Sequence, residues 1–207
     1  MIEQQSADWF SARLGNGTCS RLADLMAKTK SGPSTSRANY MAQLICERLT
    51  GKREESYSNA AMDWGTATEP LARMEYEAMT GEMVIEASFI LHPTIARFGG
   101  SPDGLIGSHG MVEIKCPNTA THIEWLRGHK TPPKHKAQMQ GLMMCCQREW
   151  CDFVSYDPRL PKHLQLFIVR EIYDLEYCAV MLDEVRVFLL ELDAMEIELA
   201  APLRIAA

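Results

Sequence analysis

The chain contains 207 residues, of which 46% are hydrophobic and 23% are charged, and its net charge is −6. This content is enough for one hydrophobic core, and no Pro, Gly or Ser stretch is long enough to link two cores, so we expect a single domain over residues 1–207. No segment approaches the ~20 apolar residues of a membrane span and no basic, apolar leader opens the chain, so the sequence predicts a cytoplasmic protein.

Hydrophobic periodicity predicts mainly helices in the first 80 residues and mainly strands directly after them. The predicted helices span residues 7–13, 20–28, 40–49 and 59–79, and the predicted strands span 84–92, 96–102 and 111–116. Helices at 119–128 and 134–147, strands at 151–156 and 164–170, and a final helix from 173 to about 199 complete the prediction. The pattern indicates an α/β fold with a mixed central β-sheet flanked by helices.

Apolar residues recur at alternating spacings of three and four along the final predicted helix. They are Leu175, Cys178, Leu182, Val185, Leu189 and Leu192. Because the acids occupy other faces, we expect this side to pack on the protein's own core, with a subunit contact as the alternative.

The acidic residues are concentrated at the C-terminal end. Residues 171–207 carry a net charge of −7, which leaves the first 170 residues at +1. That distribution leaves room for a local basic groove of the kind that attracts nucleic acid. The best candidate is the segment 127–136, with Arg127, Lys130, Lys134 and Lys136 and no acid; its alternative is an ordinary solvated loop.

One motif carries the chemistry. Asp103 lies in a Ser-Pro-Asp-Gly turn, Glu113 follows ten residues later, and Lys115 comes two residues after Glu113. Since side chains alternate along a strand, Glu113 and Lys115 share one face, which we expect to be the chemical face, while the other face packs in the core. Two carboxylates and an ammonium group held together favour a divalent cation, Mg2+ or Mn2+. A β-hairpin with an exposed salt bridge is the alternative.

Several motifs together resemble the lambda-type phage exonucleases, also called YqaJ-like viral recombinases, within the restriction-endonuclease-like PD-(D/E)xK superfamily. They are, in chain order, Trp9…Arg13-Leu14-Gly15, Trp64-Gly65-Thr66-Ala67-Thr68-Glu69, Ser101-Pro102-Asp103-Gly104-Leu105, Glu113-Ile114-Lys115-Cys116-Pro117, Ala137-Gln138-Met139-Gln140 and Tyr156-Asp157-Pro158-Arg159. The resemblance therefore covers nearly the whole chain.

The resemblance implies a phage- or prophage-encoded, Mg2+-dependent 5′→3′ exonuclease that digests one strand of linear double-stranded DNA and leaves a 3′ single-stranded tail. It also implies a ring-shaped homotrimer and a single-strand annealing protein as partner. The chain has no Walker-type Gly-Lys-Ser/Thr loop, so an ATP motor is not available to hold it on DNA. Enclosure of the DNA by a ring would have to supply processivity.

The resemblance also assigns roles to individual residues. Two metal ions would be held by Asp103, Glu113, the Ile114 backbone carbonyl and Glu69. Lys115 would position or deprotonate the attacking water, and Gln138 would contact the phosphate or the water. Pro70 is compatible with Glu69 at the start of a helix, and a plain helix-surface glutamate is the alternative there.

The 5′ end needs its own recognition site. Arg13 lies one helical turn after Trp9, and Thr18 and Ser20 are expected at the start of the next helix, where free N–H groups favour phosphate. The resemblance places Arg13, Ser20 and Ser101 in a terminal-phosphate pocket, with Thr18 as an addition. The alternative is simple capping by Ser20 beside a surface Arg13.

Three alternative functions make different predictions. A structure- or sequence-specific endonuclease of the same superfamily would cut closed circular DNA, and a non-catalytic DNA-end-binding module would cut nothing. An iron–sulfur nuclease needs four suitably spaced thiolates. The seven cysteines contain no CxxC pair, and Cys145, Cys146 and Cys151 lack the expected spacing, so reduced and mostly buried thiols are favoured.

Overall fold

A computed structural model describes residues 4–30, 32–53 and 60–201. Its first half contains α1 (Ala7–Arg13), β1 (Gly17–Thr18), α2 (Leu22–Leu25), β2 (Lys28–Thr29), β3 (Gly32–Pro33), α3 (Thr35–Thr50), α4 (Ala60–Thr80), β4 (Val84–Ile85), β5 (Ile90–Leu91) and β6 (Phe98–Gly100). Its second half contains β7 (Gly104–Ile106), β8 (Gly110–Lys115), α5 (Thr119–Gly128), α6 (Pro133–Cys146), β9 (Trp150–Tyr156), β10 (Leu166–Ile172) and α7 (Leu175–Ala200).

The main sheet is mixed, as the sequence predicts. Its five strands are ordered β10-β9-β8-β7-β4, and β8 pairs in parallel with β9 and antiparallel with β7. A smaller sheet has the strand order β1-β6-β5, and residues 101–103 connect its strand β6 to strand β7 of the main sheet. Strand β8 is therefore the central strand of the main sheet, hydrogen-bonded to β7 on one side and to β9 on the other.

Hydrophobic clusters cover both faces of β8. Met111 belongs to the larger cluster, to which α3, α6 and α7 contribute, whereas Val112 and Ile114 belong to a second cluster that includes Tyr76 of α4. Val112 and Ile114 therefore pack in the core and Glu113 and Lys115 contact each other on the opposite face, as predicted, although that opposite face also carries core packing at Met111. Glu113 shares the Met111 face and has no exposed surface, because helices pack over both sides of the sheet.

Most predicted elements are confirmed, and two are not. The predicted helix 20–28 is a 3-10 turn, Cys19–Arg21, followed by the four-residue α2, because β1 and β2 hold the chain extended on either side. The predicted strand 84–92 is two short strands, since β4 pairs with β7 while β5 pairs with β6. The predicted start of the fourth helix, residue 59, lies outside the described residues.

The final helix packs on the core, as predicted. Cys178, Val185, Leu189 and Leu192 are buried in the larger cluster and Leu182 packs against it. Leu175 is 70% exposed, because it is the first helical residue after the Asp174 cap and lies beyond the packed part of the helix.

All seven cysteines are free thiols, and six of them are buried, as expected; Cys46 is exposed. Among the residues that the structure describes, no helix is both long enough and apolar enough to span a bilayer.

Candidate active site

Asp103 lies in the bend directly before β7, next to Glu113 of the neighbouring strand β8. The β7–β8 pairing places Gly104 across from Val112, so one further step brings Asp103 across from Glu113. Asp103 Oδ2 accepts a hydrogen bond of 2.6 Å from the Ile114 backbone N–H. The turn predicted at residues 101–104 thus brings the two carboxylates to the same sheet end.

Among the described residues, hydrogen bonds reach one of the two oxygens of the Glu113 carboxylate. Its Oε1 atom accepts hydrogen bonds from Lys115 Nζ and, at 2.5 Å, from Gln138 Nε2 of α6. Its Oε2 atom is buried and has no hydrogen-bond partner among the described residues. A buried carboxylate oxygen without a partner is costly, and a cation bound there would remove that cost.

Two glutamates in this site, Glu113 and Glu69, have raised pKa values. Burial, and then the charge of Asp103, raises the pKa of Glu113 to about 8 and that of Glu69 to about 7. Burial alone would lower the pKa of Lys115, but the nearby Glu113 and Asp103 carboxylates outweigh it and the pKa is raised. Full ionisation of these carboxyl groups is therefore unfavourable unless an additional positive charge joins them.

These donors fit a hard divalent cation, although they do not form a complete coordination sphere. Among the described residues, no three His, Cys, Asp or Glu side chains already stand in a metal-binding arrangement. Glu69 is not at a helix start, because α4 continues through Pro70. Its carboxylate lies 3.4 Å from Arg73 Nη2, and Arg73 also pairs with Glu86. The fit to Mg2+ rests on the unpaired Glu113 Oε2 atom and on the all-oxygen donor set.

Arg13, Thr18 and Ser20 converge on one cavity of about 330 Å³. Arg13 Nη1 donates a 3.1 Å hydrogen bond to Ser101 Oγ, and the Thr18 and Ser20 hydroxyl oxygens are 3.3 Å apart. The expected helix start is wrong: Ser20 lies within the 3-10 turn Cys19–Arg21, which has no side-chain cap. The cavity is lined by residues of α1, of the segment 18–21 and of α3, together with Asn16, Arg53 and Met62. Ser101 does not line the cavity; its hydrogen bond from Arg13 connects the cavity wall to the segment that carries Asp103 two residues later.

The basic segment is only partly available. Lys130 is exposed, and Lys134 Nζ lies 5.2 Å from the centre of the Trp125 ring. Lys136 instead forms a 3.1 Å ion pair with Asp174 at the start of α7.

Sequence reasoning missed the role of Arg159 as a link between motifs. Its guanidinium pairs with Asp157 at 2.7 Å, donates to the Pro117 carbonyl at 3.1 Å and lies 4.4 Å from the Trp64 ring centre. It thereby connects the ends of β8 and β9 to α4, the helix that carries Glu69. Three of the quoted motifs meet here, although spacing along the chain gives no sign of it.

We expect Asp157→Asn to destabilise the protein by on the order of 1–3 kcal/mol at pH 7. Burial opposes ionisation of Asp157, but hydrogen bonds from Arg159 and Thr119 outweigh it and lower the pKa to about 2. A lowered folded-state pKa gives stability that is present above the unfolded value near 4 and is lost as the pH falls toward 2. Urea midpoints of both proteins between pH 5 and pH 3 should therefore converge. A constant difference across that range would contradict the assignment.

The fold and the site together define an α/β protein of the restriction-endonuclease-like class, with Asp, Glu and Lys at the end of its central strands. The model of the YqaJ-like viral recombinase domain matches residues 8–149, and the chain belongs to this family.

Solved structures of similar proteins support this family assignment. The alkaline exonuclease LHK-Exo from Laribacter hongkongensis is 52% identical, with a TM-score of 0.89 and coverage of 94% of this chain and 96% of that one. LHK-Exo in complex with dAMP gives the same identity and coverage and a TM-score of 0.88. A phage-related exonuclease from Haemophilus somnus 129PT shares the fold at 15% identity, with a TM-score of 0.70 and coverage of 89% and 96%. No curated protein sequence matches the chain. The family and the LHK-Exo structures support a nuclease.

Proposed function

We propose that the protein is a Mg2+-dependent 5′→3′ exonuclease that hydrolyses the 5′-ended strand of linear double-stranded DNA. The products would be nucleotides and 3′ single-stranded tails suited to single-strand annealing. The observation that carries the proposal is the buried Glu113 carboxylate, whose Oε2 atom is unpaired beside Asp103 and Lys115. The similarity to an alkaline exonuclease at 52% identity supports it.

Each side chain has a distinct task in this proposal. Two Mg2+ ions, or Mn2+ as a substitute, would be held by Asp103, Glu113, Glu69 and the Ile114 carbonyl, and such ions stabilise the attacking and leaving oxygens of a phosphodiester. Lys115 would orient or deprotonate the attacking water. Gln138 would fix the Glu113 carboxylate through the hydrogen bond that it already donates.

Direction of digestion comes from the adjacent pocket. Arg13, Thr18, Ser20 and Ser101 would bind the terminal 5′-phosphate, since a guanidinium and several hydroxyls suit its oxygens. Lys130 and Lys134 would contact the DNA backbone. Lys136 could do so only after leaving Asp174.

We further propose a homotrimeric ring around the DNA and a single-strand annealing protein as partner, both on the family resemblance. Exposed apolar side chains on α7, among them Val180, Leu190 and Ile197, are compatible with a protein contact there.

Linear duplex DNA with one phosphorylated 5′ end provides the test. With Mg2+ we expect loss of the 5′-phosphorylated strand from its 5′ end and survival of the complementary strand, and without a divalent ion no cutting. Closed circular duplex DNA should stay intact. Cutting of the circle would favour the endonuclease, and binding of ends without cutting would favour the non-catalytic module.

A further inference from the structure

Tyr40 contributes to the wall of the Arg13 cavity, although no motif singles it out. It projects from α3, is only 2% exposed and lines the cavity together with Thr18 and Ser20. Its hydroxyl oxygen accepts a 2.9 Å hydrogen bond from the Thr18 backbone N–H and lies 3.4 Å from Thr18 Oγ1. Tyr40 is therefore bonded to the segment that carries the pocket hydroxyls.

Two contacts hold the aromatic ring of Tyr40 in place. It stacks on Phe188 of α7 with 5.6 Å between ring centres, and the Arg21 guanidinium lies 4.3 Å from its ring centre. Burial raises the pKa of the phenol, so the hydroxyl keeps its proton and remains a donor.

Three hydroxyls form a chain that ends in the cavity. Thr18 Oγ1 lies between the Tyr40 oxygen at 3.4 Å and Ser20 Oγ at 3.3 Å. The Tyr40 oxygen already accepts the Thr18 N–H, so its own proton is available for Thr18 Oγ1. Thr18 can then donate to Ser20, and Ser20, which is exposed, can donate to an anion in the cavity.

We propose that Tyr40 is a positioning residue for recognition of the 5′-phosphate. Its hydroxyl fixes the Thr18 backbone and, through the Thr18 hydroxyl, aligns the Ser20 hydroxyl proton toward the terminal phosphate. This inference rests on the proposed function, because it assumes that the cavity binds that phosphate.

Tyr40→Phe tests the inference, since it removes one oxygen and keeps the stacked ring. We expect kcat/KM to fall about tenfold on a 5′-phosphorylated duplex, because Ser20 would lose the alignment that lets it donate to a charged group. On an otherwise identical 5′-hydroxyl duplex the change should stay within about twofold, because no anion is present for the hydroxyls to meet. Equal slowing on both duplexes, or no slowing on either, would overturn the inference.

Tyr76→Phe is the matched control. Tyr76 is equally buried, and its hydroxyl donates to Asp152 at 2.7 Å in the cluster on the other face of the sheet. This variant should leave unchanged the ratio of kcat/KM on the 5′-phosphorylated duplex to kcat/KM on the 5′-hydroxyl duplex. A comparable drop in that ratio would count against a specific role for Tyr40.

Two further variants separate the possible outcomes. If Tyr40→Phe does not fold, Thr18→Val interrupts the same chain while keeping the Thr18 N–H, and it should lower the same ratio; an unchanged ratio would overturn the inference. Arg13→Ala is measured in parallel. If Arg13→Ala lowers kcat/KM selectively on phosphorylated ends and Tyr40→Phe does not, only the role of Tyr40 is excluded. If neither variant shows this selectivity, the phosphate pocket is excluded as well.

Discussion

Glu113→Gln should abolish digestion of linear duplex DNA while leaving binding to DNA ends intact. The substitution keeps the size of the side chain and an oxygen that can accept from Gln138, but it removes the charge that the buried Oε2 atom offers to a cation. We expect kcat to fall at least about a thousandfold, which corresponds to about 4 kcal/mol of lost transition-state stabilisation. Strand-resolved digestion assays and equilibrium binding to labelled duplex measure the two quantities.

Glu149→Gln is the matched control for this variant. Glu149 is an exposed glutamate that pairs with His109 near the far end of β8, away from the carboxylate site. It should cut DNA at the wild-type rate. Crystals soaked in Mn2+ should show an anomalous peak beside Glu113 in the wild type and not in Glu113→Gln. A folded Glu113→Gln protein that still cuts at a near wild-type rate would exclude Glu113 from the chemistry.

The sequence predicted the local part of this site well. Alternation along a strand placed Glu113 and Lys115 on one face, and the structure confirms their contact. Turn chemistry predicted the bend at Asp103, and the β7–β8 register then brings Asp103 opposite Glu113. Both results depend on residues close together in the chain, where backbone geometry alone decides the outcome.

The rest of the site depends on packing between distant segments. The Glu113 hydrogen bond to Gln138 spans 25 positions and the Arg13 hydrogen bond to Ser101 spans 88. Helical periodicity predicts which face of a helix is buried, but it does not predict that Gln138 of α6 donates a hydrogen bond to the Glu113 carboxylate. The resemblance to a family, rather than periodicity, pointed to these residues.

Elements whose ends are set by tertiary pairing were predicted least well. The segment 84–92 has the composition of one strand, yet its two ends pair with different sheets. Gln4 donates to the Ala87 carbonyl in the connection, a contact that no local pattern contains. Secondary-structure propensity is overridden here by the hydrogen-bonding partners available to each end.

Arg13→Ala should slow digestion of 5′-phosphorylated ends far more than that of 5′-hydroxyl ends. Arg13 is half-buried: its guanidinium lies 4.2 Å from the Trp9 ring centre and donates to Ser101, so it is held in place before DNA arrives. Loss of a charge-assisted hydrogen bond to phosphate should cost about 10- to 100-fold in kcat/KM on phosphorylated ends. On hydroxyl ends the guanidinium has no phosphate to bind, and the cost should be small.

Arg186→Ala is the control for loss of a positive charge. Arg186 lies on the exposed side of α7 in an ion pair with Asp183, distant in the chain from every pocket residue. If general attraction of DNA were the only effect, both variants would slow phosphorylated and hydroxyl ends alike, and the loss would fade as salt is raised. A specific pocket instead requires a phosphate preference that Arg13→Ala reduces and Arg186→Ala leaves intact. Equal slowing of both ends by Arg13→Ala would therefore remove the structural basis proposed for the 5′→3′ direction.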